Sequence, residues 1–296
     1  MSSPDFVATL VADPARPTLS DAFVERAAQA LPGFVCCRWL DPGIAVDLYF
    51  DGADARPLLA ALAAEAQVDV IVQPTATRAK RLLVADMDST LIGQECIDEL
   101  AAAAGVGARV AGITERAMRG EIPFEGALRE RVALLADLPS RIIEELLAAR
   151  ITLNPGARVL VTTMRARGGF AAIVSGGFTP FTSAIAQQLG ADEHRANRLE
   201  IVDDRLTGRV LEPILGADAK LATLRELAAR LGLARHETLG VGDGANDLPM
   251  LAEAGLGIAF RAKPKVAAAA HARVDHSDLT ALLYAQGIER SKFVET

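Results

Sequence analysis

Four short apolar runs constrain this chain more than any other feature. They are LLVAD, FAAIVSGG, ETLGVGDG and LGIAF, all beyond residue 81. Each reads as a buried strand, and helical segments separate them. That alternation predicts a parallel sheet with helices on both faces, a doubly wound α/β fold. In such sheets the carboxyl ends of the strands carry the chemistry. Three of the runs end there in polar or glycine residues: Asp86, then Ser175-Gly176-Gly177, then Asp243-Gly244.

The earlier residues have another rhythm. FVATLVA suggests a strand, and LSDAFVERAAQAL has helical spacing with Ser20 or Asp21 as its cap. FVCCRWL and IAVDLYF read as paired strands around the turn DPG. ARPLLAALAAEA is a helix and VDVIVQ a last strand. This βαββαβ order predicts a small α+β, ferredoxin-like domain over residues 1–75. PTATRAK breaks the pattern and links it to a second domain, residues 76–296. Between the first two apolar runs of that domain lies an insertion, residues 94–153. It reads as helices: CIDELAAAAG, ARVAGITERAMRG, FEGALRERVALLAD and SRIIEELLAAR. An all-helical insert just after a sheet strand is a candidate cap over the site.

Composition narrows the function. The net charge of −7 argues against broad nucleic-acid or anionic-membrane binding. The first residues lack a basic segment before their apolar run, so no signal peptide is expected, and no apolar stretch reaches a membrane span. Cys36, Cys37 and Cys96 show no CxxC spacing and read as buried free thiols of a reducing, cytoplasmic protein. The four histidines lie outside the candidate motifs, and Trp39 is expected to pack the small domain.

The chemistry rests on four elements. Asp86 and Asp88 follow a buried strand and, two residues apart on extended chain, point the same way. Two carboxylates so placed need a cation or a shared proton. With Mg²⁺, one can act as nucleophile on phosphorus and the other as proton donor and acceptor. The same pair also suits the capping of a helix start. Ser175 and the Gly176 N–H could cradle phosphate oxygens, as could a plain Ser-Gly-Gly turn. Lys220 opens a helical pattern in a chain that prefers arginine, with only five lysines among 31 basic residues; a solvated helix face is the alternative. LGVGDGANDLPML runs an apolar strand into Asp243, with Asn246 and Asp247 following. That suits an oxygen-rich Mg²⁺ shell, or a simple turn and helix cap. Together, in order, the elements read as phosphoryl transfer.

This set resembles the haloacid dehalogenase-like (HAD-like) phosphatases. DMDST looks like their first motif, SGG the second, Lys220 the third and GDGAND the fourth. DSTLIGQECIDELA, ITERAMRGEIPFEGALRERVALL, VSGGFTPFT, ANRLEI and VGDGANDLPML extend the likeness to the phosphoserine phosphatases over residues 80–285. The resemblance implies a Rossmannoid core and a Mg²⁺-dependent enzyme hydrolysing O-phospho-L-serine through an aspartyl-phosphate, the last step of L-serine biosynthesis. The alternative is transfer to another acceptor such as homoserine. It makes Asp86 the nucleophile and Asp88 the general acid and base. Asp86 and Asp243 would bind Mg²⁺ by side chain, Asp88 by its carbonyl, with Asp247 supporting them. Ser175, Gly176 and Lys220 would hold the phosphoryl group, with Asn246 nearby. Glu95 would pair with the substrate ammonium and Arg131 with its carboxylate, while Met118 and Phe124 would line the cap. The small domain resembles an ACT-type module, but its first strand-to-helix loop, ADPARPTLSDA, has prolines where such modules place a glycine. Effector binding, a structural role and homodimer formation all stay open for it.

Overall fold

The computed structural model describes residues 4–52, 55–119 and 121–295. The first unit runs β1 (Phe6–Val11), α1 (Asp21–Gln29), β2 (Phe34–Asp41), β3 (Ala45–Phe50), α2 (Arg56–Ala66) and β4 (Asp69–Pro74). Ser20 caps α1, its side chain accepting the Phe23 N–H. The strands form an antiparallel sheet in the order β2-β3-β1-β4, which is the ferredoxin-like arrangement. Period-two alternation divides its faces. Ala8, Leu10, Val46 and Leu48 pack with Phe23 and Leu59 from the two helices.

The remaining chain builds the larger body. It contains β5 (Leu82–Ala85) and the inserted helices α3 (Cys96–Ala103), α4 (Gly107–Met118), α5 (Phe124–Ala133) and α6 (Ile142–Ala149). After them come α7 (Ala157–Ala166), β6 (Phe170–Phe178), α8 (Thr179–Leu189), β7 (Glu193–Val202), β8 (Arg205–Leu211) and α9 (Ala217–Arg230). The last elements are β9 (Thr238–Gly242), α10 (Leu248–Glu253), β10 (Leu256–Phe260), α11 (Pro264–Ala269), β11 (Ala272–Val274) and α12 (Ala281–Ala285). Among the described residues the second sheet has seven strands in the order β11-β10-β9-β5-β6-β7-β8, parallel except for the β7–β8 hairpin. Alternate residues of β5 feed opposite cores. Leu82 and Val84 pack with Leu224, Leu227 and Met250, whereas Leu83 and Ala85 belong with Leu160, Phe181 and Leu282. Burial on both faces explains why the strands read as unbroken apolar runs.

The four named runs are β5, β6, β9 and β10; β7, β8 and β11 were not among them. The insertion folds as the expected helices. Its two ends are joined at the base, where Gln94 and Thr152 exchange two hydrogen bonds of 2.9 Å, and the Gly93 N–H of the body donates to Thr152 O at 3.0 Å. It is tied again at its far end, where Asp137 and Leu206 and then Leu138 pair backbone to backbone with β8 at 2.9 Å.

Two expectations need correction. Cys36 and Cys37 are exposed, and only Cys96 is buried. The reason is that β2 is an edge strand whose first half stands clear on both faces, so Phe34 and Val35 are exposed too. The segment PTATRAK is also more than a connector. Its Arg78 is buried between the sheets, gripping Asp47 with two bonds of 2.7 and 2.9 Å. The same guanidinium reaches Thr9 Oγ1 at 3.2 Å, Tyr284 O at 3.1 Å and Ala285 O at 3.2 Å. Val11, Ala45 and Ile71 of the small sheet share one apolar cluster with Leu282 and Leu283 of α12. Among the described residues no helix is long and apolar enough to cross a membrane.

Candidate active site

The carboxyl ends of β5, β6 and β9 meet the start of α9. The Asp86 N–H donates to Val241 O at 3.0 Å, so the β5–β9 ladder carries this residue to the strand tip before the chain turns away. Lys220, 1% exposed, projects from α9 into the same place. Its Nζ lies 2.7 Å from Asp86 Oδ2 and 2.6 Å from Asp247 Oδ1. The other Asp247 oxygen accepts the Gly244 N–H at 2.9 Å. Asp243 Oδ1 accepts the Thr90 hydroxyl at 3.2 Å. One carboxylate oxygen from each of Asp86, Asp243 and Asp247 lies within 4.8 Å of the others.

Two glycines are imposed by these groups. A Cβ on Gly242 would fall 2.3 Å from Asp247 Cγ, and one on Gly177 would fall 2.6 Å from Asp88 Oδ2. Asn246 leans on the same loop, its Oδ1 occupying the space a side chain at Gly244 would need. Ser175 Oγ accepts the Gly177 N–H at 2.8 Å and lies 3.5 Å from Asp88 Oδ2. The capping alternative for the Asp86–Asp88 pair is half realised: Asp88 Oδ1 also accepts the Cys96 N–H, at 3.3 Å, at the start of α3.

Electrostatically the floor is short of positive charge. Burial, reinforced by Asp247, holds the Asp86 carboxyl well above the usual carboxylate range despite Lys220. Burial together with Asp247 and Glu95 lifts Asp243 to about 6. Burial and Glu95 lift Asp88 to about 7. Burial disfavours the Lys220 charge, but Asp86 and Asp247 more than offset that and push its pKa up. Three clustered carboxylates thus share one ammonium. An oxygen-only donor set with unspent negative charge fits a hard divalent cation.

The cap supplies a second set of groups. Glu95 stands just before α3, where Oε1 accepts the Ser89 hydroxyl at 2.7 Å. Ser89 itself takes a left-handed backbone, φ +55°. Burial raises the Glu95 carboxyl, and the charge of Arg131 lowers it. Arg131 on α5 donates to Ala127 O at 3.3 Å and to Thr114 Oγ1 at 3.4 Å. Its guanidinium is held down by burial, with Asp98 and Glu95 acting the other way. The Phe124 ring lies against Gly176 and Gly216, where added Cβ atoms would sit 3.4 and 3.7 Å from it. Cap and floor therefore touch through one aromatic ring and two glycines. The Met118 side chain falls outside the described residues.

The haloacid dehalogenase-like hydrolase family model matches residues 83–252, which takes in every one of these groups. The chain belongs to that family. Among curated relatives, the phosphoserine phosphatase of Streptomyces coelicolor is 46% identical over 256 residues, covering 85% of this chain. The chain spans 62% of that relative's own length. Among solved structures, a HAD family hydrolase of Salmonella enterica serovar Typhi superposes with a TM-score of 0.85 at 30% identity, covering 95% of this chain and 97% of that one. A phospho-aspartyl intermediate analogue of phosphoserine phosphatase superposes with a TM-score of 0.65 at 42% identity, covering 70% of this chain and 98% of that one.

Several neighbours of the candidate groups were not singled out from the sequence. Thr90 bonds Asp243, Ser89 bonds Glu95, and Gly177 makes room for Asp88. All three lie inside the quoted motifs, so adjacency was their only signal. Asn197 is a fourth; it lies outside the four motifs, within the quoted segment ANRLEI.

Proposed function

We propose that this chain is a Mg²⁺-dependent phosphatase that hydrolyses O-phospho-L-serine to L-serine and phosphate. One observation carries the reading: a floor of clustered carboxylates and a buried lysine lies beneath a cap that brings an acid, Glu95, and an arginine, Arg131, within electrostatic reach of each other. Phosphoserine has a phosphate, an ammonium and a carboxylate, and each finds an opposite partner in that arrangement. The names carried by the relatives support the same substrate.

In the proposed reaction an Asp86 oxygen attacks phosphorus, and the serine oxygen leaves with a proton from Asp88. Burial and the nearby Glu95 lift Asp88 to about 7, so a substantial share of it carries near neutrality the proton this step requires. Water then attacks the aspartyl-phosphate, giving its proton to Asp88 and restoring Asp86. Lys220, Ser175 and the Gly176 N–H bind the phosphoryl oxygens, and Asn246 stands beside them. Glu95 and Arg131 orient the amino-acid end, while Phe124 shields it. Asp86, Asp243 and the Asp88 carbonyl would hold Mg²⁺, supported by Asp247, and the ion would draw charge from the phosphoryl oxygens. Three unpaired thiols suit a reducing compartment, and we take the activity to be cytoplasmic.

The test is phosphate release by the purified protein from O-phospho-L-serine. Release should need Mg²⁺ and stop with EDTA. No release with Mg²⁺ present overturns the proposal, and adding homoserine distinguishes hydrolysis from phosphotransfer by the product formed.

A further inference from the structure

The ladder between β6 and β7 is interrupted at the phosphate loop. Val174 pairs with Arg195 and Phe178 with Asn197, so Ser175, Gly176 and Gly177 face a single residue, Ala196. This bulge pushes the loop out of the sheet and frees its N–H groups for other work. It also strips the Gly176 carbonyl of its strand partner. A buried carbonyl without a partner is costly. Asn197, fully buried, supplies one: its Nδ2 donates to Gly176 O at 2.8 Å.

The same amide grips a second segment. Nδ2 donates to Leu215 O at 3.2 Å, and Oδ1 accepts the Leu215 N–H at 2.7 Å. Leu215 precedes Gly216, the cap position of α9, which carries Lys220. The backbone of Asn197 is fixed in turn, because its carbonyl accepts the Thr179 hydroxyl at 2.9 Å.

We propose that Asn197 is a positioning residue for phosphoryl binding, setting the plane of the Gly176–Gly177 peptide and through it the Ser175 hydroxyl. The peptide is trans and planar, so its C=O and N–H point in opposite directions. Holding Gly176 O toward Asn197 therefore aims the Gly177 N–H the other way, at Ser175 Oγ, 2.8 Å off. An oxygen that accepts there turns its own proton elsewhere; here that proton faces Asp88 Oδ2, 3.5 Å away, and a bound phosphoryl oxygen would take it instead. Through Leu215 the same side chain sets the spacing between this loop and the helix bearing Lys220. The inference rests on the phosphatase reading given above.

The test compares wild type with Asn197→Ala and Asn197→Asp. Asp keeps the shape and the acceptor but loses both donated bonds. A matched control is Thr163→Val, which removes a buried hydroxyl that accepts the Val294 N–H on remote α7. Both Asn197 variants should lose about 10²-fold in kcat/KM. They should bind orthovanadate correspondingly more weakly, while Thr163→Val keeps wild-type values at a similar loss of thermal stability. A folded Asn197→Ala protein with kcat/KM and vanadate affinity within about twofold of wild type overturns the inference. So does failure of both Asn197 variants to fold, which would make the residue a structural support only. A wild-type protein that binds vanadate but hydrolyses no phosphate ester overturns the phosphatase reading, and the vanadate comparison still decides the role of Asn197.

Discussion

On the floor of the site, charged groups bind one another directly; on the cap, Glu95 and Arg131 bind neutral partners among the described residues. Lys220 holds two carboxylates at 2.6 and 2.7 Å, and each sits on an element fixed by the sheet. Among the described residues Arg131 has a carbonyl and a hydroxyl at 3.3 and 3.4 Å, and Glu95 a hydroxyl at 2.7 Å. Groups that must stabilise developing charge gain by being fixed before the reaction begins. Groups that recognise a substrate gain by keeping unspent bonding capacity. The difference separates the part of the protein that would do chemistry from the part that would choose what it is done to.

The comparison can be broken at its strongest point first. Asp86→Asn should lower kcat by about 10⁴-fold or more, because the proposed nucleophile is removed. Single-turnover phosphate release measures this, and a loss of only a few-fold would mean the floor has been misread. Gly177→Ala is next. Its methyl would collide with Asp88 Oδ2, so kcat should fall about 10²-fold with any phosphate ester. Steady-state rates on phosphoserine and p-nitrophenyl phosphate should drop together, and a change confined to phosphoserine would move Gly177 to the recognition side. Arg131→Ala should have the smallest effect. KM for phosphoserine should rise about 10–10²-fold, while p-nitrophenyl phosphate is hydrolysed as before. Equal losses on both esters would erase the distinction between floor and cap.

How much could be read from the sequence followed the same division. The floor stands on strands buried on both faces, which appear as apolar runs, and its acids interrupt those runs abruptly at Asp86 and Asp243. Glu95 precedes one charged helix and Arg131 lies on another, and only a family likeness singled them out. The strands β7 and β8 escaped notice because their hairpin lies at the sheet edge, where EHRANRLEIV and RLTGRVL are half polar. At three residues β11 is too short to show a pattern. Asn197 escaped because its value depends on a bulge in the neighbouring strand, which no local spacing reveals. Cys36 and Cys37 were misplaced because an apolar strand does not announce that it is an edge.

Arg78 has a bearing on how such a chain can change over time. Its charge is buried against Asp47 and Thr9 of one sheet and the carbonyls of Tyr284 and Ala285 beneath the other. A different βαββαβ unit grafted in place of residues 4–74 would have to present a carboxylate and a hydroxyl at those two points. Otherwise it would strand a guanidinium without its counter-charge. The small unit is therefore not an interchangeable attachment. Substitutions at Thr9, Asp47 and Arg78 should be accepted only in concert.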